Sequence, residues 1–212
     1  MQHNNLLKKT LLALLLCVAM PILNAQVAHV GDILCEGNAI VSPANYPSSG
    51  ATAIGVVFYV DNTGQHGWAV ALQDAGSFRW GCNNYDMPLP NYTNKRQAIY
   101  DLDGYENTRI VRENCTDSPA FYAVDFENGW YVPAIGQLNF LYANLVEVNT
   151  SLRVAGGSVF PASEWRYWSS TENSSYNAWR MHSSGELDYY VGGDYTNNAK
   201  NNSWRVRGVR NF

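Results

Sequence analysis

An apolar run, AIGVVFYV from Ala53 to Val60, and a shorter one, WAVAL from Trp68 to Leu72, flank the turn-forming stretch DNTGQHG. β-Branched and aromatic residues on both sides of an Asn- and Gly-containing turn predict a β-hairpin. Asn94 to Asn114 reads as helix, turn, helix, with an apolar edge of Ala98, Ile99 and Leu102 broken at Gly104. AFYAVDFENGWYVP predicts a strand, a turn at Asn128 and Gly129, and a short second strand. Pro133 opens the clearest helical period: Ile135, Leu138, Leu141, Tyr142, Leu145 and Val146 recur at the spacing of one helix face. After Gly156 and Gly157 the chain turns all-β, with candidate strands at Tyr167–Thr171, Ala178–His182, Glu186–Val191 and Trp204–Arg210. Strands and helices are grouped rather than alternating, so the predicted class is α+β.

The first residues change the domain reading. Lys8 and Lys9 precede the apolar stretch TLLALLLCVAMPIL, which is too short to span a bilayer, and Ala25 is a small residue at a plausible cut. Residues 1–25 therefore read as a secretory signal peptide. Cys17 follows the bulky Leu16, which disfavours lipidation. Residues 26–50, punctuated by SPANYPSSG, read as an N-terminal arm, and residues 51–212 as one domain. Removing the two signal lysines takes the formal charge from −4 to −6, which argues against a nucleic-acid partner. No later apolar run reaches membrane-spanning length. The expected location is secreted or cell-surface.

An exported chain permits disulfides, and three cysteines remain: Cys35, Cys82 and Cys115. Spacing does not choose among the three pairings. Cys82 and Cys115 both lie in Asn-rich, loop-like sequence, which favours pairing them and leaves the state of Cys35 open.

Four stretches, GWAVAL, GWYVPAIGQLNFLY, YWSSTENSSYNAW and the closing VRGVRNF, resemble in order and spacing the Lcl C-terminal-domain family, the terminal domain of a bacterial collagen-like adhesin. The resemblance covers roughly residues 54–212. It implies a C-type-lectin-like fold: paired N- and C-terminal strands, two flanking helices, and a small upper antiparallel sheet with long loops. Formylglycine-generating enzymes and the variable proteins of diversity-generating retroelements share that broad fold, so fold alone does not assign function.

Chemistry-bearing motifs are sparse. The tripeptides of calcium-dependent lectins, Glu-Pro-Asn, Gln-Pro-Asp and Trp-Asn-Asp, do not occur, and DLDG at Asp101–Gly104 lacks the later ligands of a calcium loop. It reads as a helix-ending turn. His29, His66 and His182 have no zinc-hydrolase spacing, and no Gly-x-Ser-x-Gly elbow is present. Formylglycine-generating enzymes use a cysteine pair near the C-terminus, whereas this chain has none after Cys115. No catalytic residue, metal or cofactor is expected.

Aromatic density carries the functional expectation. Trp168, Trp179 and Trp204 sit in strand patterns and read as core. Tyr189, Tyr190 and Tyr195 lie beside GGD and TNNAKNN, and loop tyrosines among Ser, Gly, Asn and Asp form the composition of binding loops. Arg180, beside Trp179, suits an anionic ligand through stacking and paired hydrogen bonds, while Arg205, Arg207 and Arg210 read first as structural. Asn197, Asn198, Asn201 and Asn202 fit either retroelement diversification, which acts on Asn codons, or simple turn formation.

The expectation is a non-catalytic, adhesin-like module that binds a glycan or a surface protein of a host or neighbouring cell. Its ligand residues are Arg180, His182, Asp188, Tyr189, Tyr190, Asp194, Tyr195, Asn197 and Asn198. The alternative is a structural subunit of a surface assembly, with residues 26–50 as a docking strand. The oligomeric state is left open.

Overall fold

A computed structural model describes residues 27–163, 166–182, 187–188 and 199–212. The α+β class is observed: two five-stranded sheets and six α-helical segments among the described residues. The expected signal peptide lies outside those residues.

The stretch expected as an arm contributes to the first sheet. It supplies β1 (Ile33–Cys35) and β2 (Ile40–Val41), followed by one helical turn, α1 (Tyr46–Ser49). The predicted hairpin is present as β3 (Ala53–Val60) and β4 (Gly67–Ala71), with Tyr59 paired to Trp68. β5 (Gly76–Arg79) follows, a strand too short and too exposed to stand out in the sequence. The expected helix–turn–helix is α2 (Lys95–Ala98) and α3 (Gly104–Asn114).

Two expectations fail where a local pattern lacks its tertiary context. The apolar residues after Ser118 form no strand. Pro119 starts a helical turn, α4 (Pro119–Tyr122), a position where its missing N–H costs nothing. Arg112 of α3 donates to the Phe121 carbonyl at 3.1 Å and holds this turn in place. The long helix from Pro133 is two helices, α5 (Ile135–Ala143) and α6 (Leu145–Val154). Between them the Asn144 amide donates to the Phe58 carbonyl at 3.0 Å, taking its residue out of helical register. The face resets there: Val146 is exposed, and Val148 and Leu152 are buried instead.

The remaining strands are β6 (Arg166–Glu172), β7 (Ala178–His182), β8 (Leu187–Asp188), β9 (Ser203–Val206) and β10 (Val209–Asn211). The first sheet has the order β10-β4-β3-β1-β2 and the second β5-β9-β6-β7-β8. The terminal strands share a sheet but do not pair, because the β3–β4 hairpin lies between them; β10 pairs with β4. Three helices of nine residues or more, rather than two, pack on the sheets. The second sheet is not purely antiparallel. β9 runs parallel to β6, since the long excursion after β6 returns the chain in the same direction.

The single strand expected over Trp204–Arg210 is divided at Arg207 and Gly208, and its halves join different sheets. Arg207 is buried and lies against the Phe160 ring. It donates to the carbonyls of Ala71 (2.8 Å), Ser158 (2.6 Å) and Leu72. Asp74 lies 3.6 Å away and also accepts from the Tyr167 hydroxyl (2.8 Å) and Arg205 (3.0 Å). The structural reading of Arg205 and Arg207 agrees with these contacts.

One core lies between the first sheet, α5, α6 and one face of the second sheet, where Phe58, Val70, Ile135, Leu152, Tyr167 and Trp179 meet. A second packs Trp80, Val111, Phe121, Trp168 and Val206 on the opposite face. Cys82 and Cys115 form a disulfide that closes 33 residues of sequence separation at the edge of this second core. Cys35 is a buried thiol whose pKa burial raises.

Two outcomes follow for stability. Arg207→Met removes the only side chain joining these three carbonyls and lowers unfolding free energy by about 3–5 kcal/mol in urea denaturation. Replacing Cys82 and Cys115 together by Ala costs about 3–4 kcal/mol in the same measurement, from the entropy the crosslink removes from the unfolded chain.

Candidate functional site

Strand alternation and register place a cationic group on one face of the second sheet. Trp168, Ala178 and Val206 point into the second core. The same faces of β6 and β7 continue as Arg166, Arg180 and His182. In the β6–β7 ladder Arg166 pairs with His182, and Trp168 with Arg180. On β9, Trp204 closes the group. The Arg180 guanidinium lies 4.6 Å from the Trp204 ring centroid and the Arg166 guanidinium 5.1 Å. Arg180 is buried, whereas Arg166, His182 and Trp204 are half-buried.

The tryptophans differ in their N–H partners. Trp168 donates to the Phe78 carbonyl (2.9 Å), Trp179 to Tyr92 (2.8 Å) and Trp80 to Ser169 (2.9 Å). Those three are satisfied structural residues. The Trp204 indole nitrogen is buried with no hydrogen-bond partner among the described residues, as is Nε of Arg166. Buried donors of this kind are uncommon in folded proteins and mark a place where an acceptor is expected. Of this group, Nε of Arg166 and the Trp204 indole N–H are the donors suited to carboxylate, sulfate or hydroxyl oxygens.

Of the residues expected to bind ligand, Arg180, His182 and Asp188 fall on adjacent strands, with Arg180 and Asp188 in register between β7 and β8. Tyr189, Tyr190, Asp194, Tyr195, Asn197 and Asn198 lie outside the described residues. Arg166 and Trp204 were not expected at the site. Arg166 carried one signal, its place two residues before Trp168 on the same strand face.

The chain re-enters the described fold at a 3₁₀ turn, Ala199–Asn201. Lys200 is wholly buried and donates to Glu172, also wholly buried, and to the Tyr85 carbonyl at 3.2 Å. Its ammonium lies 4.5 Å from the Trp80 ring centroid. Glu172 also accepts from the Met87 amide at 3.1 Å. Burial pushes the Glu172 carboxyl up and the Lys200 ammonium down, while their mutual attraction opposes both shifts. The pair thus fastens the return of the excursion to the end of β6.

Asp101 of the DLDG stretch is also buried. It accepts from Thr171 (2.7 Å), Asn107 (2.9 Å) and the Asp103 amide (3.1 Å), and burial still pushes its carboxyl up. Its oxygens are committed to stitching the start of α3 to β6. Among the described residues, no cluster of three His, Cys, Asp or Glu is placed to hold a metal ion. No helix among them is long and apolar enough to cross a membrane.

No protein-family model matches the sequence, and no curated protein matches it. Among solved structures, a fimbrial protein from Bacteroides ovatus ATCC 8483 has a similar fold. The TM-score is 0.62 at 21% sequence identity, over 87% of this chain and 49% of that one. The chain spans about half the length of that protein.

Breaking the buried pair exposes its dependence on charge matching. Lys200→Met leaves Glu172 buried without its cation and destabilises by about 3–5 kcal/mol. Adding Glu172→Gln, which keeps an acceptor for the Met87 amide, recovers more than half of that loss in a double-mutant cycle.

Proposed function

We propose that the protein is an exported, non-catalytic, adhesin-like binding module of the cell surface, with a C-type-lectin-like fold related to the Lcl C-terminal domain. The return of β10 to the sheet of the β3–β4 hairpin supports that fold assignment. The carrying observation is the Arg166–Trp204–Arg180 group on the second sheet, in which Nε of Arg166 and the Trp204 indole nitrogen are buried with no hydrogen-bond partner among the described residues. A ligand there meets donors first, so its contacting groups are hydroxyls or carboxylates of a glycan or of a surface protein. The cationic group sits within an acidic chain, so attraction of an anionic ligand is local rather than global. His182 and Asp188 flank Arg180, and Tyr189, Tyr190, Asp194, Tyr195, Asn197 and Asn198 complete the reading on composition alone.

A second reading, a structural subunit of a surface assembly, draws on the likeness to a fimbrial protein. Its docking strand is not residues 33–41, which already pair within their own sheet.

Binding of the exported protein to a panel of glycans, mucins and surface proteins separates the two. Under the first reading a ligand is captured, and Arg166→Ala weakens it by about tenfold or more, a loss of about 1.4 kcal/mol, with an unchanged melting transition. Tyr189→Ala/Tyr190→Ala weakens it likewise. No captured ligand together with concentration-dependent self-association sinks the first reading and supports the second.

A further inference from the structure

A second set of groups, on the first sheet and independent of the site above, has the makings of a sugar subsite. Tyr59 and Trp68 form a cross-strand pair at the hairpin end of β3 and β4, with ring centroids 4.3 Å apart and nearly parallel planes. Phe140 of α5 backs them, 4.9 Å from Tyr59. Cross-strand aromatic pairs often do no more than stabilise a sheet. Here the two rings help line an open groove of about 360 Å³, together with Phe212, Asp61, His66 and Asn211. That volume is at the lower end of the range for small-ligand sites.

The polar edge is oriented before any ligand arrives. Oδ1 of Asp61 accepts from the Thr63 amide (3.0 Å) and hydroxyl (2.7 Å), which fixes the orientation of the carboxylate at the turn. The Thr63 hydroxyl holds the Asp61 carboxyl below its ordinary value, so it is ionised at neutral pH. On the other side Gln137 donates to the Tyr131 oxygen (3.0 Å), and the Tyr131 hydroxyl donates to Oδ1 of Asn211 (2.8 Å). That relay fixes the Asn211 amide with its NH₂ as the outward donor. The groove thus offers an apolar aromatic wall, one charged acceptor, one amide donor and one imidazole able to serve as either.

We propose that this groove binds a neutral pyranose, its C–H face on the Tyr59–Trp68 wall and adjacent hydroxyls shared between Asp61 and Asn211. A sugar hydroxyl both donates and accepts, which matches the alternation of acceptor and donor along the edge. The Asp61 carboxylate turns away acidic sugars, which separates this subsite from the donor-rich group on the second sheet.

The test follows the Trp68 indole N–H by NMR in the exported protein. Methyl glucoside, methyl galactoside, methyl mannoside and N-acetylglucosamine are each added to tens of millimolar. At least one sugar shifts that resonance saturably. Asp61→Asn keeps the oxygen that caps the turn and removes the charge, and it weakens the sugar by about tenfold with an unchanged melting transition. Asn211→Asp reverses the donor and weakens it comparably, whereas Arg166→Ala leaves the titration as in the unaltered protein. The proposal is overturned if no sugar moves the Trp68 resonance, if only other indoles respond, or if Asp61→Asn titrates as the unaltered protein does. Arg166→Ala abolishing the shift overturns it as well, by moving the sugar to the second sheet.

Discussion

Both sheets depend on one buried guanidinium. The chain leaves the second sheet at Val206 and enters the first at Val209, and Arg207 fills the crossing. The passage runs beside the carbonyls of Ala71 at the end of β4, of Leu72 just after it, which also accepts from the Ser158 amide, and of Ser158 before β6. Arg207 supplies donors to all three from a single planar group. Asp74 offsets its charge and recruits Tyr167 and Arg205, so the core tyrosine and the last strand of the second sheet are tied to the same point. A lysine at this position would bring a compact ammonium without the planar fork, and would not reproduce this spread of donors. The two sheets hold a fixed relation because their joint is a hydrogen-bonded hub rather than a greasy contact alone.

What a local window could reveal followed from what local physics decides. The β3–β4 hairpin was legible because β-branched residues and a turn agree over a short span, and α3 because a glycine marks its start. The break at Asn144 was not, since the interaction that takes that residue out of the helix is a hydrogen bond from its side-chain amide to the Phe58 carbonyl, 86 positions away. The same holds for the division at Arg207. Val206 and Val209 continue a strand-like pattern in the sequence, and only the three carbonyls elsewhere in the chain reveal why the pattern changes sheets. Pro119 was the legible exception overlooked: a proline before a short apolar run favours a helical turn over a strand.

Site residues divide along the same line. Arg180 and His182 were identified from their neighbours in sequence. Trp204 was assigned to the core with Trp168 and Trp179 because all three sit in similar strand contexts. Trp204 does pack against the second core, and what separates it from the other two is the partner of the indole N–H: a backbone carbonyl for two and, among the described residues, none for the third. That distinction is a property of the assembled sheet, since the carbonyls come from Phe78 and Tyr92, some 90 residues distant. Arg166 joins the site by the same logic, through a ladder position that matters only once β7 and β9 flank β6.

Arg180 and the point where the described chain resumes are both held by several partners. Arg180 is set by its ladder with Trp168 on one side and by the Trp204 ring above it. The chain that follows β8 returns to a buried lysine locked on Glu172 and against Trp80. A buried ion pair adds little net stability compared with well-packed apolar groups, but removing either partner is costly, so it tolerates few alternative arrangements. Placing such a pair at Lys200 fixes the chain where the described fold resumes.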